Sequence, residues 1–321
     1  MSENLDVVVF GSCIMDFISY VPRLPRVGET IQGSRFSTGF GGKGANQCVA
    51  ASRLGSRCSM VGKVGQDSWG QAYRNHLQGE GIDITHLSLI DGQSTGVAQI
   101  SVSEGDGANH IVIVVGANNS LSILDAECAA QRFSSAKVLV CQLETPMDAT
   151  IRALELFPGT SIVNAAPALE NTPRKLLQLP TIICVNECEA TMMTKLPVES
   201  VQEAKKAIAA LQEMGANTII ITLGANGAVF REKNSQDTFH VRIHPVDSVV
   251  DTTGAGDAFI GALVHLLAKL GAQELPFGQF VGAACEIASM SVKLPGTQSS
   301  FPRISEFEKQ VPTKKYDFDK I

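Results

Sequence analysis

The sequence lacks the features by which secreted, membrane-spanning and histidine-metal proteins are recognised. No apolar run reaches the roughly 18–20 residues that a membrane span needs. The N-terminus is acidic and passes directly into Val7–Phe10, whereas a secretory signal peptide begins with positive charge and a longer apolar core. The six histidines show no paired spacing, so we assign them no metal or catalytic role. These absences predict a cytoplasmic protein without a membrane partner, with the nucleus left open as a second compartment.

Cysteine pairs and basic charge are also scarce. Eight cysteines are scattered among mostly apolar neighbours, and the nearest pair, Cys184 and Cys188, has no second pair at zinc-ligand spacing. We therefore expect reduced, buried thiols. The formal net charge of −6 argues against nucleic acid as the main partner.

Short apolar strands alternate with amphipathic helices along most of the chain. This alternation predicts an α/β fold with a doubly wound, mostly parallel sheet flanked by helices. Two β-rich stretches, near 15–39 and 93–115, interrupt it, and Gly105-Asp106-Gly107 in the second is a hairpin signal. We expect these stretches to form a small separate sheet, a lid, although they could instead extend the main sheet. The prediction is one domain over 1–312 with this lid, followed by a loosely held tail, 313–321.

The most informative stretch is Val249–Phe259, which combines a strand end, a glycine turn and the start of a helix that runs to about Leu270. Gly254 and Gly256 allow successive N–H groups to converge on an anion at the helix N-terminus. Asp257 follows in the first helical turn, so its carboxylate lies beside that anion. Such an arrangement suits phosphoryl transfer to an alcohol. The alternative is an ordinary Asp–Thr cap before a glycine turn.

A second glycine-rich segment precedes another helix, at Gly39–Gln47. It satisfies G-x-G-x-x-G formally, but a turn-rich β segment precedes it in place of the βαβ opening of a nicotinamide site, and it does not match a Walker loop. Glycine-exposed backbone, the cation of Lys43 and the amide of Asn46 suit a polyhydroxylated ligand. The alternative is a glycine turn with a solvated lysine.

Polar residues also stand at the ends of other predicted strands. Asp16 follows the first strand, and Glu144 follows another; ligands bind at this edge in such sheets. Asn186 and Glu189 share a helix face and could hold Mg²⁺ through waters. The Thr222–Gly227 turn could approach a nucleotide. Each position alone fits an ordinary turn, and it is their coincidence at successive strand ends that indicates a site.

These motifs resemble those of the ribokinase-like carbohydrate kinases over almost the full chain. The resemblance is carried by Gly41–Gln47 and Asp251–Asp257, with support from Gln142-Leu143-Glu144, Asn164–Pro167, Asn186–Glu189 and Ile221–Gly224. It implies ATP-dependent phosphorylation of D-ribose at the 5-hydroxyl. It also implies that Asp257 is the base and that the turn Gly254, Ala255 and Gly256 is the anion hole.

The other roles are likewise implied by the resemblance. The sugar would be held by Asp16, Gly42, Lys43, Asn46 and Glu144, beside Ile14, Met15, Gly44 and Ala45. MgATP would be held by Asn186, Glu189, Thr222, Leu223, Gly224, Ala225, Asn226, Gly227 and Gly256, with Cys285 near the adenine. A K⁺ activator would be held by Asp251, Thr253, Ser291, Leu294, Gly296 and Ser300. The lid implies a homodimer.

One position departs from the family pattern. Many members carry Asn two residues before the sugar-binding Asp, whereas this chain has Ile14, which cannot make the same hydrogen bond. Other kinases of the family, acting on fructose, a ketodeoxy sugar acid or adenosine, therefore remain alternatives. A non-catalytic sugar sensor on the same fold is a more distant one.

Overall fold

The computed structural model describes residues 4–271, 275–306 and 314–321. Its strands in these ranges are β1 (Leu5–Phe10), β2 (Ile14–Val21), β3 (Arg35–Gly41), β4 (Cys58–Gly65), β5 (Leu87–Ile90), β6 (Gly96–Ser103), β7 (Asn109–Val114), β8 (Ala136–Cys141), β9 (Thr160–Asn164), β10 (Ile182–Asn186), β11 (Thr218–Thr222), β12 (Ala228–Arg231), β13 (Phe239–Val241) and β14 (Phe318–Lys320). Its helices include α1 (Lys43–Arg53), α2 (Ser68–Gly79), α3 (Ile123–Cys128), α4 (Ala130–Ser135), α5 (Met147–Leu156), α6 (Arg174–Gln178), α7 (Glu187–Thr194), α8 (Val201–Glu213), α9 (Ala255–Leu270) and α10 (Phe277–Ser291).

The larger sheet has the strand order β14-β13-β12-β11-β10-β9-β8-β1-β4-β5. Strands from β11 through β5 in this order pair in parallel, and β12, β13 and β14 add an antiparallel edge. Strand β1 is buried on both faces: Val7 and Val9 pack against α1 and α9, while Val8 and Phe10 pack on the side of α5 and α8. Such two-sided burial is what a parallel sheet covered by helices requires. The predicted doubly wound α/β fold is confirmed.

The lid is a separate four-stranded sheet with the order β3-β2-β6-β7. Strands β2 and β6 pair in parallel, and the two outer pairs are antiparallel. The turn between β6 and β7 closes where Ser103 N–H donates to the Ala108 carbonyl, with Gly107 at a φ of 74°. The expected separate sheet therefore forms, and the alternative of a longer main sheet is wrong.

Local boundaries differ from the sequence-based expectation in two ways. The β-rich stretch expected near 15–39 contains two strands that pass both its limits: β2 begins at Ile14 and β3 ends at Gly41. Asp16 therefore lies within a lid strand and not in a turn after β1. The end of the segment expected as a loose tail is an edge strand, since Phe318 packs against Phe230 and Phe239. Two aromatic residues in a short charged segment carry no periodic signal, which is why the sequence did not indicate this strand.

The two sheets meet where the chain passes from β1 of the main sheet to β2 of the lid. The chain leaves β1 at Phe10, enters the lid at Ile14, and returns through Gly41 directly into α1. This path places the lid, the start of α1 and the carboxyl ends of the parallel strands around one cleft. No helix in the described ranges is long and apolar enough to cross a membrane.

Candidate active site

The start of α9 has the backbone geometry expected of an anion-binding turn. Gly254 adopts a φ of 79° as the residue before the helix, and a side chain there would meet Thr297 and Phe301. Gly256 has open space where a side chain would be, so a ligand can approach its backbone. Ala255 N–H donates to the Thr252 carbonyl at 3.2 Å, whereas the N–H groups of Gly256 and Asp257 find no acceptor in the described part of the chain. The free donors are therefore the N–H group of Asp257 itself and that of the residue before it.

The Asp257 carboxylate is held by two amides of α1. Asn46 Nδ2 donates to Oδ2 at 2.8 Å, and Gln47 Nε2 donates to Oδ1 at 2.9 Å. Asp257 is 7% exposed, so these bonds lie out of bulk water. Each carboxylate oxygen has a further lone pair, which leaves capacity for a substrate hydroxyl. The structure thus brings Asp257 and Asn46, predicted from separate motifs, into direct contact.

Glu144, which follows β8, contacts the N-terminus of α1. Its Oε2 accepts from Ser12 Oγ at 2.5 Å and from Lys43 N–H at 2.9 Å, so it caps the N-terminus of α1. Burial raises the pKa of the Glu144 carboxyl above its ordinary value, against the lowering effect of these donors and of the Lys43 ammonium. Gly44 packs directly on the backbone of Ser12, where a Cβ would lie 2.4 Å from Ser12 N. A larger residue would push the helix away from the cleft.

Asp16 faces the same space from the lid. Its carboxylate lies against Gly41, where a Cβ would be 2.4 Å from Oδ2. No hydrogen bond reaches the Asp16 side chain within the described residues, and burial together with Glu144 and Asp257 raises its pKa to about 7. Ile14 lies on the same face of β2, two residues away, whereas Met15 points to the opposite face and packs into the apolar core. Asp16 and Ile14 therefore border the predicted sugar site, and the Met15 side chain does not.

A small cavity of about 170 Å³ lies beside Asp257, at the starts of α1 and α9, and Asp16, Asn46 and Glu144 are not among its lining residues. Lys43, Glu189 and Asp257 line it. Burial favours the neutral amine, but the carboxylates of Asp257, Glu144 and Glu189 outweigh it and raise the pKa of Lys43 above its usual range. Lys43 is therefore a cation at neutral pH, in the wall of a cavity that Gly256 and Asp257 also line.

A larger cavity of about 520 Å³ adjoins the first, since Asn186, Thr222 and Gly256 line both. Its lining includes most of the predicted nucleotide positions, which are Asn186, Thr222, Gly224, Ala225, Gly227, Gly256 and Cys285. Leu223 packs into the core and Asn226 uses its carbonyl to accept from His240, so neither lines the cavity. The segment 243–246 and the α10 residues Ala288 and Ser289 also line it, although no sequence motif marked them.

Asn186 and Glu189 form a reciprocal cap at the start of α7. Asn186 Oδ1 accepts from Glu189 N–H at 2.8 Å, and Glu189 Oε2 accepts from Asn186 N–H at 2.9 Å. Burial raises the pKa of Glu189 above its ordinary value, with Lys43 acting in the opposite direction. One oxygen of Glu189 stays outside the cap and can face the small cavity. The pair is thus both a helix cap and a set of oxygen ligands suited to a hydrated Mg²⁺.

The positions predicted for a monovalent cation lie around Asp251, behind the anion-binding turn. Asp251 Oδ1 accepts from Thr253 N–H, and Oδ2 accepts from Gly296 N–H, both at 2.9 Å. Asp251 therefore joins the turn to the segment 296–300. The Ser291 and Ser300 hydroxyls donate to the carbonyls of Ala288 and Thr297, which leaves their oxygens free to accept or coordinate. Leu294 approaches through its backbone, with N–H donating to Ser291 O at 3.4 Å.

Three buried glutamines complete the site and were not predicted as part of it. Gln47 and Gln298 hold Asp257 and Asn46, and Gln142 holds Gln47. Gln298 Nε2 donates to Asn46 Oδ1 at 2.9 Å, and its Oε1 pairs with His76 Nε2 at 2.7 Å. Gln47 and Gln142 stood within the quoted motifs, but their spacing alone gave no reason to separate them from core residues.

Comparison with known proteins places this site in a family. The family model described as "pfkB family carbohydrate kinase" matches residues 4–304. The chain is 41% identical to mouse ribokinase, over 97% of this chain and 94% of the mouse protein. It is 35% identical to deoxyribokinase of Salmonella typhi, over 94% of this chain and 97% of that protein. The structure of Arabidopsis thaliana ribokinase complexed with ribose and ATP superposes with a TM-score of 0.88 at 26% identity, covering 97% of this chain and 99% of the Arabidopsis chain. The chain therefore belongs to the pfkB family of carbohydrate kinases, and it is an ATP-dependent sugar kinase.

Proposed function

We propose that this protein transfers the γ-phosphoryl group of ATP to the 5-hydroxyl of D-ribose. The observation that carries the proposal is the position of Asp257. Its carboxylate lines the small cavity at the start of α9, where that cavity joins the larger one. A sugar hydroxyl on one side of Asp257 and a nucleotide phosphate on the other would meet at this carboxylate. The similarity to ribokinases of mouse and Arabidopsis supports ribose as the sugar.

On the sugar side, carboxylates and amides supply the hydrogen bonds that hydroxyl groups need. Asp16 on β2, Asn46 on α1 and Glu144 after β8 converge from three elements. Asp16 has no competing hydrogen bond in the described part of the chain, so its carboxylate is available to accept from sugar hydroxyls. Gly42 adopts a φ of 85° where α1 begins, and a side chain there would meet the backbone of Ile14. We assign these residues to ribose, with Asp257 taking the proton of the reacting hydroxyl.

On the nucleotide side, the turn before α9 would stabilise the charge of the transferred group. Lys43, which the resemblance assigns to the sugar, lines the small cavity beside this turn and would add positive charge there. The free N–H groups of Gly256 and Asp257 point from the positive end of the helix dipole. Mg²⁺, when bound with ATP, neutralises charge on the phosphate oxygens, and the oxygens of Asn186 and Glu189 fit its hydrated form. Cys285 borders the larger cavity from α10, in keeping with a place beside the adenine.

We also propose a K⁺ site around Asp251. The surrounding groups are one carboxylate, hydroxyls and backbone carbonyls, which is a donor set suited to a hard cation. Because Asp251 already joins the anion-binding turn to the segment 296–300, a cation here would order the same turn. The proposal includes a cytoplasmic location and a homodimer formed through the lid.

A second candidate substrate is a 2-deoxypentose. Ile14 lies on the face of β2 that carries Asp16, and an apolar side chain there leaves a sugar hydroxyl without a partner. The 35% identity to a deoxyribokinase makes this alternative specific. D-ribose and 2-deoxy-D-ribose must therefore be compared directly, beside fructose, a ketodeoxy sugar acid and adenosine.

The decisive experiment is ADP release from MgATP with this sugar panel, in potassium and in sodium buffers. We expect the highest kcat/KM with D-ribose and a higher rate in potassium. Asp257→Asn should lower kcat by about 10²-fold or more while ribose and ATP still bind, because the base is lost but the binding groups stay. Asp91→Asn, in an exposed turn after β5, is the matched control and should keep wild-type turnover.

Three results would contradict parts of this proposal separately. A higher kcat/KM with 2-deoxy-D-ribose than with D-ribose would change the assigned substrate and leave the assigned site residues unchanged. Near-normal turnover of Asp257→Asn would refute the base assignment. Equal rates in sodium-only and potassium buffers would refute the K⁺ site without affecting the rest.

A further inference from the structure

The catalytic carboxylate is held from behind by a side chain that no ligand can reach. Gln47 is fully buried, and it lines neither the small cavity nor the larger one. Its Nε2 nevertheless donates to Asp257 Oδ1 at 2.9 Å. Asn46, which neighbours it on α1, holds the other oxygen at 2.8 Å. Gln47 therefore contacts the proposed base without being part of the binding surface.

The direction of the Gln47 amide is set by its other neighbours. An amide end can present either its oxygen or its NH₂ group to a partner. Gln142 Nε2 donates to Gln47 Oε1 at 2.8 Å, which keeps that oxygen away from Asp257. Gln47 Nε2 also donates to Asn164 Oδ1 at 3.0 Å, whose own Nδ2 donates to the Cys184 carbonyl. Each amide thus donates in turn, and the NH₂ group of Gln47 is the one that meets the carboxylate.

Gln142 keeps this orientation although it leaves one of its own atoms without a partner. Its Oε1 is buried and accepts no hydrogen bond from the residues that the structure describes. It lies so close to Gly11 that a Cβ there would be 2.1 Å away. A buried acceptor without a donor destabilises a fold, so an orientation that keeps one needs a compensating gain. The contact that this orientation secures is the one between Gln142 Nε2 and Gln47.

We propose that Gln47 is a positioning residue for phosphoryl transfer, which holds Asp257 in one orientation under the direction of Gln142. This inference rests on the proposed role of Asp257 as the base. One oxygen is fixed by Asn46 and the other by Gln47, so the carboxylate cannot rotate about its Cβ–Cγ bond. In this orientation Asp257 lines the small cavity. Small misplacements of a reacting group lower turnover strongly, while substrate affinity depends on other contacts.

The test compares two near-isosteric variants of Gln47 over pH 6–9.5 with saturating ribose and MgATP. Gln47→Glu places a second carboxylate about 3 Å from Asp257, and two carboxylates this close do not ionise independently. The loss of kcat should therefore depend on pH, with kcat about tenfold lower at pH 7 and KM within about threefold. Gln47→Met removes the donor without adding charge and should lower kcat by the same factor at all pH values.

Other charged groups that face Asp257 also influence the pH dependence of kcat, in the wild type and in both variants. They are Lys43 on α1, Asp16 on β2, Glu144 after β8 and Glu189 on α7, and the Cys184 thiol lines the same cavity. None of them is changed in the two variants. Gln279→Glu, on α10, is the control for an added carboxylate, since Gln279 contacts the backbone of Tyr316 and lines neither cavity. Its pH profile should match the wild type.

The outcomes separate this inference from the proposed function. A folded Gln47→Glu enzyme, by circular dichroism and thermal melting, that keeps the wild-type kcat profile would overturn the positioning role, as would a loss expressed only in KM. If Gln47→Glu does not fold, Gln142→Met decides: lower kcat with unchanged ribose affinity supports the inference, and unchanged kcat refutes it. An active Asp257→Asn variant would instead refute the base assignment itself.

Discussion

At the scale of single residues, Asp16 holds a carboxylate where charge is unfavourable. Burial, Glu144 and Asp257 raise its pKa from 3.8 to about 7. A carboxyl group whose pKa is raised on folding binds its proton more tightly in the folded state, so it lowers stability as pH rises from about 4 to about 7. In our proposal, the hydroxyl groups of a bound sugar supply the hydrogen bonds that the Asp16 carboxylate lacks in the ligand-free protein.

We predict that Asp16→Asn is more thermostable than the wild type at pH 8 in the absence of sugar, with the difference shrinking as pH falls toward 5. The same variant should lose most of its ribose affinity, because the amide accepts at one oxygen only. Melting temperatures at pH 5, 6, 7 and 8 measure the first effect, and KM for ribose measures the second. A melting-temperature difference independent of pH would show that Asp16 does not titrate in this range.

At the scale of elements, the site depends on the distance between α1 and α9. The two helices touch at Gly261, where a Cβ would lie 2.3 Å from the Cβ of Ala50. Four residues before Gly261, α9 carries Asp257, and four residues before Ala50, α1 carries Asn46. Lys269, near the end of α9, donates to Asp6 Oδ2 at 2.7 Å and ties that end to β1. The crossing therefore sets the separation of the base from the amides that hold it.

We predict that Gly261→Ala separates the two helices and lowers both stability and turnover. Overpacking a close contact of this kind costs about 1–3 kcal/mol. The kcat of the folded variant should also fall, beyond any loss of activity caused by unfolding, because Asp257 moves relative to Asn46. Gly79→Ala, at the end of α2 with no atom within 4 Å of the added methyl group, is the control and should be near neutral. Wild-type kcat in a folded Gly261→Ala enzyme would show that the contact tolerates a methyl group.

At the scale of the whole molecule, the lid exposes apolar residues that a lone subunit leaves in water. Ile111, Val112, Ile113 and Val114 on β7 are all about half exposed or more, with Val112 at 61%. Strand β7 is also one of the two outer strands of its sheet, so its free backbone groups can pair with another chain. Exposed apolar strands at a sheet edge mark interaction surfaces. Their position on the lid supports the proposed homodimer.

We predict that Val112→Asp converts the proposed dimer to a monomer and raises KM for ribose, since the same lid sheet carries Asp16 on β2, two strands away. Sedimentation velocity of the wild type and the variant at equal micromolar concentration measures the change in mass. Leu124→Asp, at an exposed leucine of α3 outside the lid, is the control and should leave the dimer intact. A wild-type protein that sediments as a monomer would refute the proposed dimer.

Local patterns in the sequence were sufficient to predict the layers of the fold and to select the main candidate residues of the site. Apolar runs such as Thr218–Thr222 identify buried parallel strands, and the glycines around Gly254 identify a turn at a helix start, because these preferences depend on neighbouring residues alone. The same logic found Asp257, Asn46, Glu144 and Glu189 at strand and helix ends. It also identified Gly105-Asp106-Gly107 as the turn of the lid hairpin.

Other features depend on contacts between distant parts of the chain, and only the tertiary structure decided them. Strand β14 forms where Phe318 packs against Phe230, and the Met15 side chain lies outside the proposed sugar site because β2 directs it toward the core. Gln298 reaches Asn46 across 252 positions of sequence, and no local pattern records such a partner. The sequence by itself determined which residues can carry the chemistry, because residue type and local geometry are local properties. The tertiary structure decided which of them meet Asp257, because that depends on how α1 and α9 pack.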